Sequence, residues 1–172
     1  MKNEYRQKTD ENRINRIRSI TNGLPKACMD FIRSISMSTS TLTRLAYAYD
    51  LRVFFNFLIA ERILFADMTL TTFTDEKIAL ISQSDMELYM EYLSVYYSQM
   101  TSDENGTITK PLYNHEMGVS RKLSTLRSFF QYLYKSNRIP ANITTLIPIP
   151  KLHDKPILSM DKNEVFKILF IK

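Results

Sequence analysis

The chain has 172 residues, of which 44% are hydrophobic, three are glycine and one is cysteine. This composition can bury a core and excludes a disordered chain, a glycine-turned β sandwich and a disulfide scaffold, so it predicts an all-α protein. The sequence contains neither a secretory signal peptide nor a run of roughly 18 apolar residues, which predicts a cytoplasmic protein that does not enter a membrane.

Charge is distributed unevenly along the chain. The net charge is +5, from 23 basic and 18 acidic residues. Residues 120–172 hold ten basic and three acidic side chains, whereas residues 61–105 hold two basic and nine acidic ones. This asymmetry predicts an oriented contact with an anionic polymer; a solvated helix surface with chance clustering is the alternative explanation.

Two helices are predicted before residue 37. Isoleucines recur every third residue in the otherwise polar residues 11–21, so we expect a loosely attached first helix there. Pro25 suits the first turn of a second helix. The apolar face of that helix comprises Cys28, Phe31, Ile32 and Ile35.

The first strong helical pattern is STSTLTRLAYAYDLRVFFNFLIAERI, residues 38–63. Hydroxyl side chains at its start supply N-cap oxygens. Its apolar positions fall at helical spacing, which predicts a long, buried helix. These positions are Tyr47, Leu51, Phe54, Phe55 and Leu58. A short helix or turn is expected over residues 75–81.

A third main helix is predicted over SDMELYMEYLSVYYSQM, residues 84–100. Ser84 and Glu87 have the spacing of a capping box, and Tyr89, Tyr96 and Tyr97 share its inner face. Residues 101–111 contain an Asn-Gly pair and predict a flexible loop, or a small hairpin if the flanks pair.

The segment SRKLSTLRSFFQYLYKSNRIP, residues 120–140, predicts a helix with two unlike faces. One face is apolar and should be buried: Leu123, Leu126, Phe130, Leu133 and Tyr134. The other face is polar and should be free: Arg121, Ser124, Thr125, Ser128 and Lys135. Beyond it, prolines at 148, 150 and 156 predict a linker, and Asp161 with Glu164 predicts the start of another helix.

Three segments in this order resemble the N-terminal, core-binding (SAM-like) domain of the tyrosine recombinase, or phage integrase, family. They are TRLAYAYDLRVFFNFL (43–58), SRKLSTLRSFFQYLYKSNRIPANI (120–143) and PKLHDKPILSMDKNEVFKIL (150–169). The resemblance implies a bundle of four to five helices over residues 37–145. Residues 1–36 would then form an N-terminal helical extension, and residues 146–172 a linker with the first helix of a truncated catalytic domain.

The resemblance implies that the chain binds double-stranded DNA in site-specific recombination and DNA integration, with other recombinase protomers as partners. Carried over to this sequence, the DNA-contacting candidates are Thr39, Thr41, Thr43, Arg44, Arg121, Lys122, Ser124, Thr125, Arg127, Ser128 and Lys135, with Ser38 and Gln131 as further possibilities. These residue types neutralise phosphates or donate to phosphate oxygens. Replacing Arg121, Lys122 and Lys135 with glutamate is therefore expected to abolish duplex binding with thermal unfolding nearly unchanged.

The family's catalytic tyrosine, arginines and histidines would follow residue 172, so the chain is expected not to be an enzyme. Neither a cofactor nor a small-molecule ligand is expected, and no metal site is expected because His115 and His153 have no partner at ligand spacing.

Structural roles compete with each DNA assignment. Residues 38–43 can serve as helix caps, and Arg127 can pair with an acid on the third main helix. A different functional class also fits: an all-α interaction module whose basic face docks on an acidic partner protein. A chain that competes with an intact recombinase, and so inhibits it, is a third hypothesis.

Overall fold

Six α-helices and one two-stranded hairpin make up the protein in a computed structural model that describes residues 2–99, 109–114 and 116–148. The helices are α1 (Lys2–Asn22), α2 (Lys26–Ser34), α3 (Thr41–Glu61), α4 (Asp75–Ile78), α5 (Gln83–Tyr92) and α6 (Glu116–Lys135). Short 3₁₀ turns span Ile63–Phe65, Leu70–Thr72 and Ile143–Leu146. The all-α prediction is confirmed, with the hairpin as its one departure among the described residues.

The hairpin replaces the second half of a predicted helix. We expected a helix over residues 84–100, but α5 ends at Tyr92 and the chain continues as β1 (Val95–Gln99). This strand pairs antiparallel with β2 (Thr109–Tyr113), with Val95 opposite Tyr113 and Gln99 opposite Thr109. The run Val95-Tyr96-Tyr97 is β-branched and aromatic, which suits a strand at least as well as a helix. The helical placement of Tyr96 and Tyr97 was therefore wrong.

The first helix is longer and more firmly packed than the sequence predicted. It begins at Lys2, and its Ile17 and Ile20 are buried in the same core as the later helices. Pro25 stands at the N-cap of α2, one position before the predicted first turn. Phe31 of α2 stacks on Tyr47 and also contacts Phe129. The expectation of a loosely attached first helix was wrong. An isoleucine at every third position is enough to give α1 a buried edge.

Two helix starts are set by side-chain caps. Ser40 accepts a hydrogen bond from the Thr43 amide at the start of α3, within the predicted capping region. At the start of α5 the capping box is formed by Ser82 and Asp85, two residues before the predicted pair Ser84 and Glu87. A carboxylate at the third helical position serves this box as a glutamate would.

Aromatic side chains fill the centre of the core. Phe54 lies 5.0 Å from Tyr89, and Phe55 lies 6.1 Å from Phe129, measured between ring centroids. The apolar face of α6 is buried as predicted, except that Tyr134 is 47% exposed. Phe129, which was not among the predicted positions of this face, is fully buried. Among the described residues, no helix is long and apolar enough to cross a membrane.

The end of α6 is held by a backbone hydrogen bond and by the ion pairs of Arg138. Asn137 has a φ of 53°, and the amide of Arg138 donates to the Leu133 carbonyl, which closes the helix with a left-handed residue. The guanidinium of Arg138 then donates twice to Asp75, at 2.7 and 2.8 Å, and once to Asp30, at 3.2 Å. These bonds raise the pKa of Arg138 and tie α2, α4 and the end of α6 together.

Some sequence predictions lie outside the described residues. They concern the tip of the loop at 101–108, the lone histidines, most of the linker and the helix predicted after Asp161.

Candidate nucleic-acid interface

Four polar side chains of α6 form an outward face, which we call the outer stripe: Arg121, Ser124, Ser128 and Lys135. Successive members are separated by whole turns, so they lie above one another on the helix surface. The members are exposed or half-buried. Because the stripe combines two cations with two hydroxyl donors, it matches the chemistry of a phosphate backbone.

The serines of the outer stripe bond within the helix. Ser124 donates to the Ser120 carbonyl at 2.9 Å, and Ser128 donates to the Ser124 carbonyl at 3.0 Å. A serine hydroxyl has one hydrogen and rotates freely about its C–O bond. Each hydroxyl can therefore turn to a phosphate oxygen without moving the backbone.

A buried carboxylate on α3 organises the inner polar side of α6. Asp50 is 2% exposed and accepts hydrogen bonds from Arg121 at 2.5 Å and from the Thr125 hydroxyl at 2.8 Å. Burial raises the pKa of the Asp50 carboxyl, and the charge of Arg121 opposes this shift. Thr125 is fully buried, so its predicted place on the free face was wrong. The reason is that α3 covers this flank of α6.

Lys122 belongs to the same buried network. Its ammonium group donates to the Asn114 side-chain oxygen at 2.8 Å, and the Asn114 amide donates to the Leu93 carbonyl at 2.8 Å. The side chain is 6% exposed, and burial lowers its pKa. Lys122 was among the DNA-contacting candidates, but the structure buries it and bonds its ammonium to Asn114, beside the end of α5.

Arg127 and Gln131 face the segment that follows α6. Arg127 donates to the Ile147 carbonyl at 2.5 Å, so its structural partner is backbone rather than the acid on the third main helix that was considered. Gln131 accepts a hydrogen bond from Asn142 at 3.0 Å. Together with Ser128, these residues line a shallow groove beside the outer stripe. Its other wall is formed by Thr144 and Thr145.

The candidates at the start of α3 have structural partners. Thr39 donates to the Ile35 carbonyl, Thr43 belongs to the Ser40 cap, and Thr41 donates to Asp10 of α1 at 2.5 Å. The bond from Thr41 lowers the pKa of Asp10, and the charge of Arg44 contributes in the same direction. Within the described ranges, no hydrogen bond joins this group to α6. Among these residues, the two halves of the predicted interface are therefore not joined by a direct hydrogen bond.

The residue that sequence reasoning missed is Asp50. Its signal was present: a single acid stands in the apolar run YAYDLRVFF, at a position that helical spacing places on the buried side. A buried carboxylate requires a partner, which points to a basic residue on a packed helix. In the part of the chain that the structure describes, no group of three or more histidine, cysteine or acidic residues could hold a metal ion.

Comparison with known proteins gives one informative relative. The chain is 31% identical over 131 residues to a tyrosine recombinase XerC of Caldanaerobacter subterraneus subsp. tengcongensis. The match covers 72% of this chain and 33% of that protein, so the chain spans about a third of that relative's length. This similarity supports the resemblance to tyrosine recombinases. No family model matches the chain. No solved structure matches it either.

Proposed function

We propose that the protein is a DNA-contacting part of a tyrosine recombinase and binds duplex DNA through the outer stripe of α6. The observation that carries the proposal is the stripe itself, which places two cations and two hydroxyls along one helix face that the other described residues leave exposed or half-buried. The similarity to a tyrosine recombinase supplies the class of ligand. DNA strand cleavage is not part of this proposed role.

Asp50 holds Arg121, one of the two cations of the stripe, in place. The side chain of Arg121 is 46% exposed, and its bond to the buried Asp50 carboxylate leaves guanidinium N–H groups facing outward. An arginine held in this way loses little conformational entropy when it contacts a phosphate. Lys135, the last residue of α6, supplies a second cation about four helical turns from Arg121.

The revised interface is smaller than the set predicted from sequence. Arg121, Ser124, Ser128 and Lys135 remain, and the groove residues Arg127 and Gln131 border them. Thr125 bonds to Asp50 of α3, and Lys122 bonds to Asn114, which in turn bonds to Leu93 at the end of α5. Other recombinase protomers stay a proposed partner.

A pair of glutamate substitutions tests the stripe. Ser128→Glu with Lys135→Glu should abolish binding to a fluorescent duplex, measured by anisotropy between 50 and 200 mM salt. The wild type should bind with a dissociation constant of about 10⁻⁴ to 10⁻⁶ M at physiological salt, weakening as salt rises.

The matched control is Lys77→Glu with Ser84→Glu, exposed residues of α4 and α5 that give the same change in net charge. This control should retain most of the affinity. Equal losses in both variants would contradict the stripe as the contact surface. Salt-insensitive self-association without any duplex binding would favour the alternative of a protein-interaction module.

A further inference from the structure

Three arginines from three helices converge on one short segment of α3. Arg16 of α1 donates to the Tyr49 hydroxyl at 2.8 Å, and Arg52 lies over the Tyr49 ring with its guanidinium carbon 5.1 Å from the centroid. On the neighbouring residue, Asp50, the guanidinium of Arg121 is bound. Residues 49–52 span about 4.5 Å along a helix axis, so these contacts fall within one turn.

Arg16 and Arg52 carry charges that no carboxylate among the described residues pairs with. Both side chains are exposed. Asp10 and Asp50, acids near this region of α3, bind other groups. Two like charges held around one tyrosine ring repel each other, and an external anion relieves that repulsion.

Tyr49 fixes the geometry of the pair. Its hydroxyl accepts the hydrogen bond of one guanidinium, and its ring face attracts the other through a cation–π interaction. Because the ring is half-buried between the helices, both arginines are held at a defined place on the surface. We call Arg16, Tyr49 and Arg52 the tyrosine cluster.

We infer that the tyrosine cluster is a second phosphate-contacting site for duplex DNA, which extends the outer stripe across α3 onto the N-terminal helix. This inference rests on the proposed function and assigns α1 a role in DNA contact. The ligand is the sugar-phosphate backbone, because both guanidinium groups are engaged with Tyr49 and offer their charge and remaining N–H groups to phosphate oxygens.

The test is the salt dependence of duplex binding by the full chain. Arg16→Gln with Arg52→Gln removes two phosphate contacts, so the slope of log K against log salt should become shallower by about 1.8. The same term predicts a loss of affinity on the order of 50-fold at 0.1 M salt. Arg16→Lys with Arg52→Lys keeps both charges and should keep the wild-type slope.

The matched control is Arg18→Gln with Arg33→Gln. These arginines are exposed and their loss changes the net charge equally, but Arg18 points away from Arg16 on α1 and Arg33 lies on α2. The control should keep the wild-type slope, and all variants should keep the wild-type helix content and melting temperature.

The outcomes separate this inference from the proposed function. If the wild type binds the duplex and Arg16→Gln with Arg52→Gln keeps its slope, the inference is overturned and the outer stripe stands. If the Arg18→Gln with Arg33→Gln control loses as much slope, the cluster has no special role and the inference is again overturned. If the wild type does not bind the duplex, the proposed function fails and the inference fails with it.

Discussion

The two polar sides of α6 use the same kinds of residue for different purposes. On the inner side, Thr125 is buried and bonded to Asp50 of α3, and Lys122 is buried and bonded to Asn114. On the outer side, Ser124 and Lys135 are exposed. Arg121 lies on the border and serves both, since it binds Asp50 and is 46% exposed. The comparison shows that residue type alone does not identify a binding surface. The neighbouring helix decides which hydroxyls and cations remain available.

The strongest test of the inner side is Asp50→Ala. This change leaves the buried ammonium of Lys122 without its nearby countercharge and the Thr125 hydroxyl without its acceptor. We expect a loss of about 3 kcal/mol in the free energy of unfolding, measured by urea titration. Asp67→Ala removes an exposed carboxylate and should change stability by less than about 0.5 kcal/mol. Equal effects would refute the special role of Asp50.

A smaller effect is expected from Lys122→Met. The variant loses the hydrogen bond to Asn114, so it should be less stable than the wild type by about 1 kcal/mol at pH 7. Burial lowers the pKa of Lys122, so the folded state binds its proton less tightly than the unfolded state does. Wild-type stability should therefore rise relative to the variant as the pH increases towards the ordinary lysine pKa of about 10.4.

Urea titrations from pH 7 to pH 10.5 would measure that widening gap. Lys77→Met removes an exposed ammonium of α4 and is the matched control. If the gap for Lys122→Met widens no more than the gap for this control, the Lys122 ammonium is not buried.

The smallest stability change should come from Ser124→Ala with Ser128→Ala on the outer stripe. Both hydroxyls bond to their own helix, and alanine favours a helix, so the free energy of unfolding should change by less than about 0.5 kcal/mol. Duplex affinity should fall about three- to tenfold with an unchanged salt slope, because two donors but no charges are lost. Loss of stability above about 1 kcal/mol would place these serines among the structural residues.

The buried contacts of Arg121 and Lys122 change one expectation from the sequence. Replacing Arg121, Lys122 and Lys135 with glutamate was expected to leave unfolding nearly unchanged. The structure contradicts this, because two of the three glutamates would stand beside the buried carboxylate of Asp50. Such a variant should unfold more easily, so its loss of binding would not identify the contact surface.

Much of the helical architecture follows from sequence patterns. Helical spacing of the aromatic residues predicts α3, and the alternation of polar and apolar faces predicts α6. The end of α5 was less predictable, because Val95-Tyr96-Tyr97 fits either period and a strand needs a distant partner to form. A small hairpin around residues 101–111 was among the predictions, but local spacing did not show that its first strand would begin at Val95.

The candidate site was predictable only in part. A helical wheel separates an apolar face from a polar face, but it does not show how far a neighbouring helix covers the polar one. This is why Ser124 and Thr125, adjacent in sequence, lie in different environments. The pairing of Arg16 with Tyr49 joins residues 33 positions apart, so it requires the packing of α1 on α3.

The ion pairs of Arg138 affect how α6 responds to a bound ligand. The helix is held near its first turn through Lys122 and Asn114 and beyond its last turn through Arg138. These contacts couple α6 to α2 and α4 through Arg138, and to the end of α5 through Asn114. A duplex bound to the outer stripe would therefore stabilise the helices that are bonded to α6. Its binding should slow hydrogen exchange in α2 and α5, although neither helix contributes to the stripe.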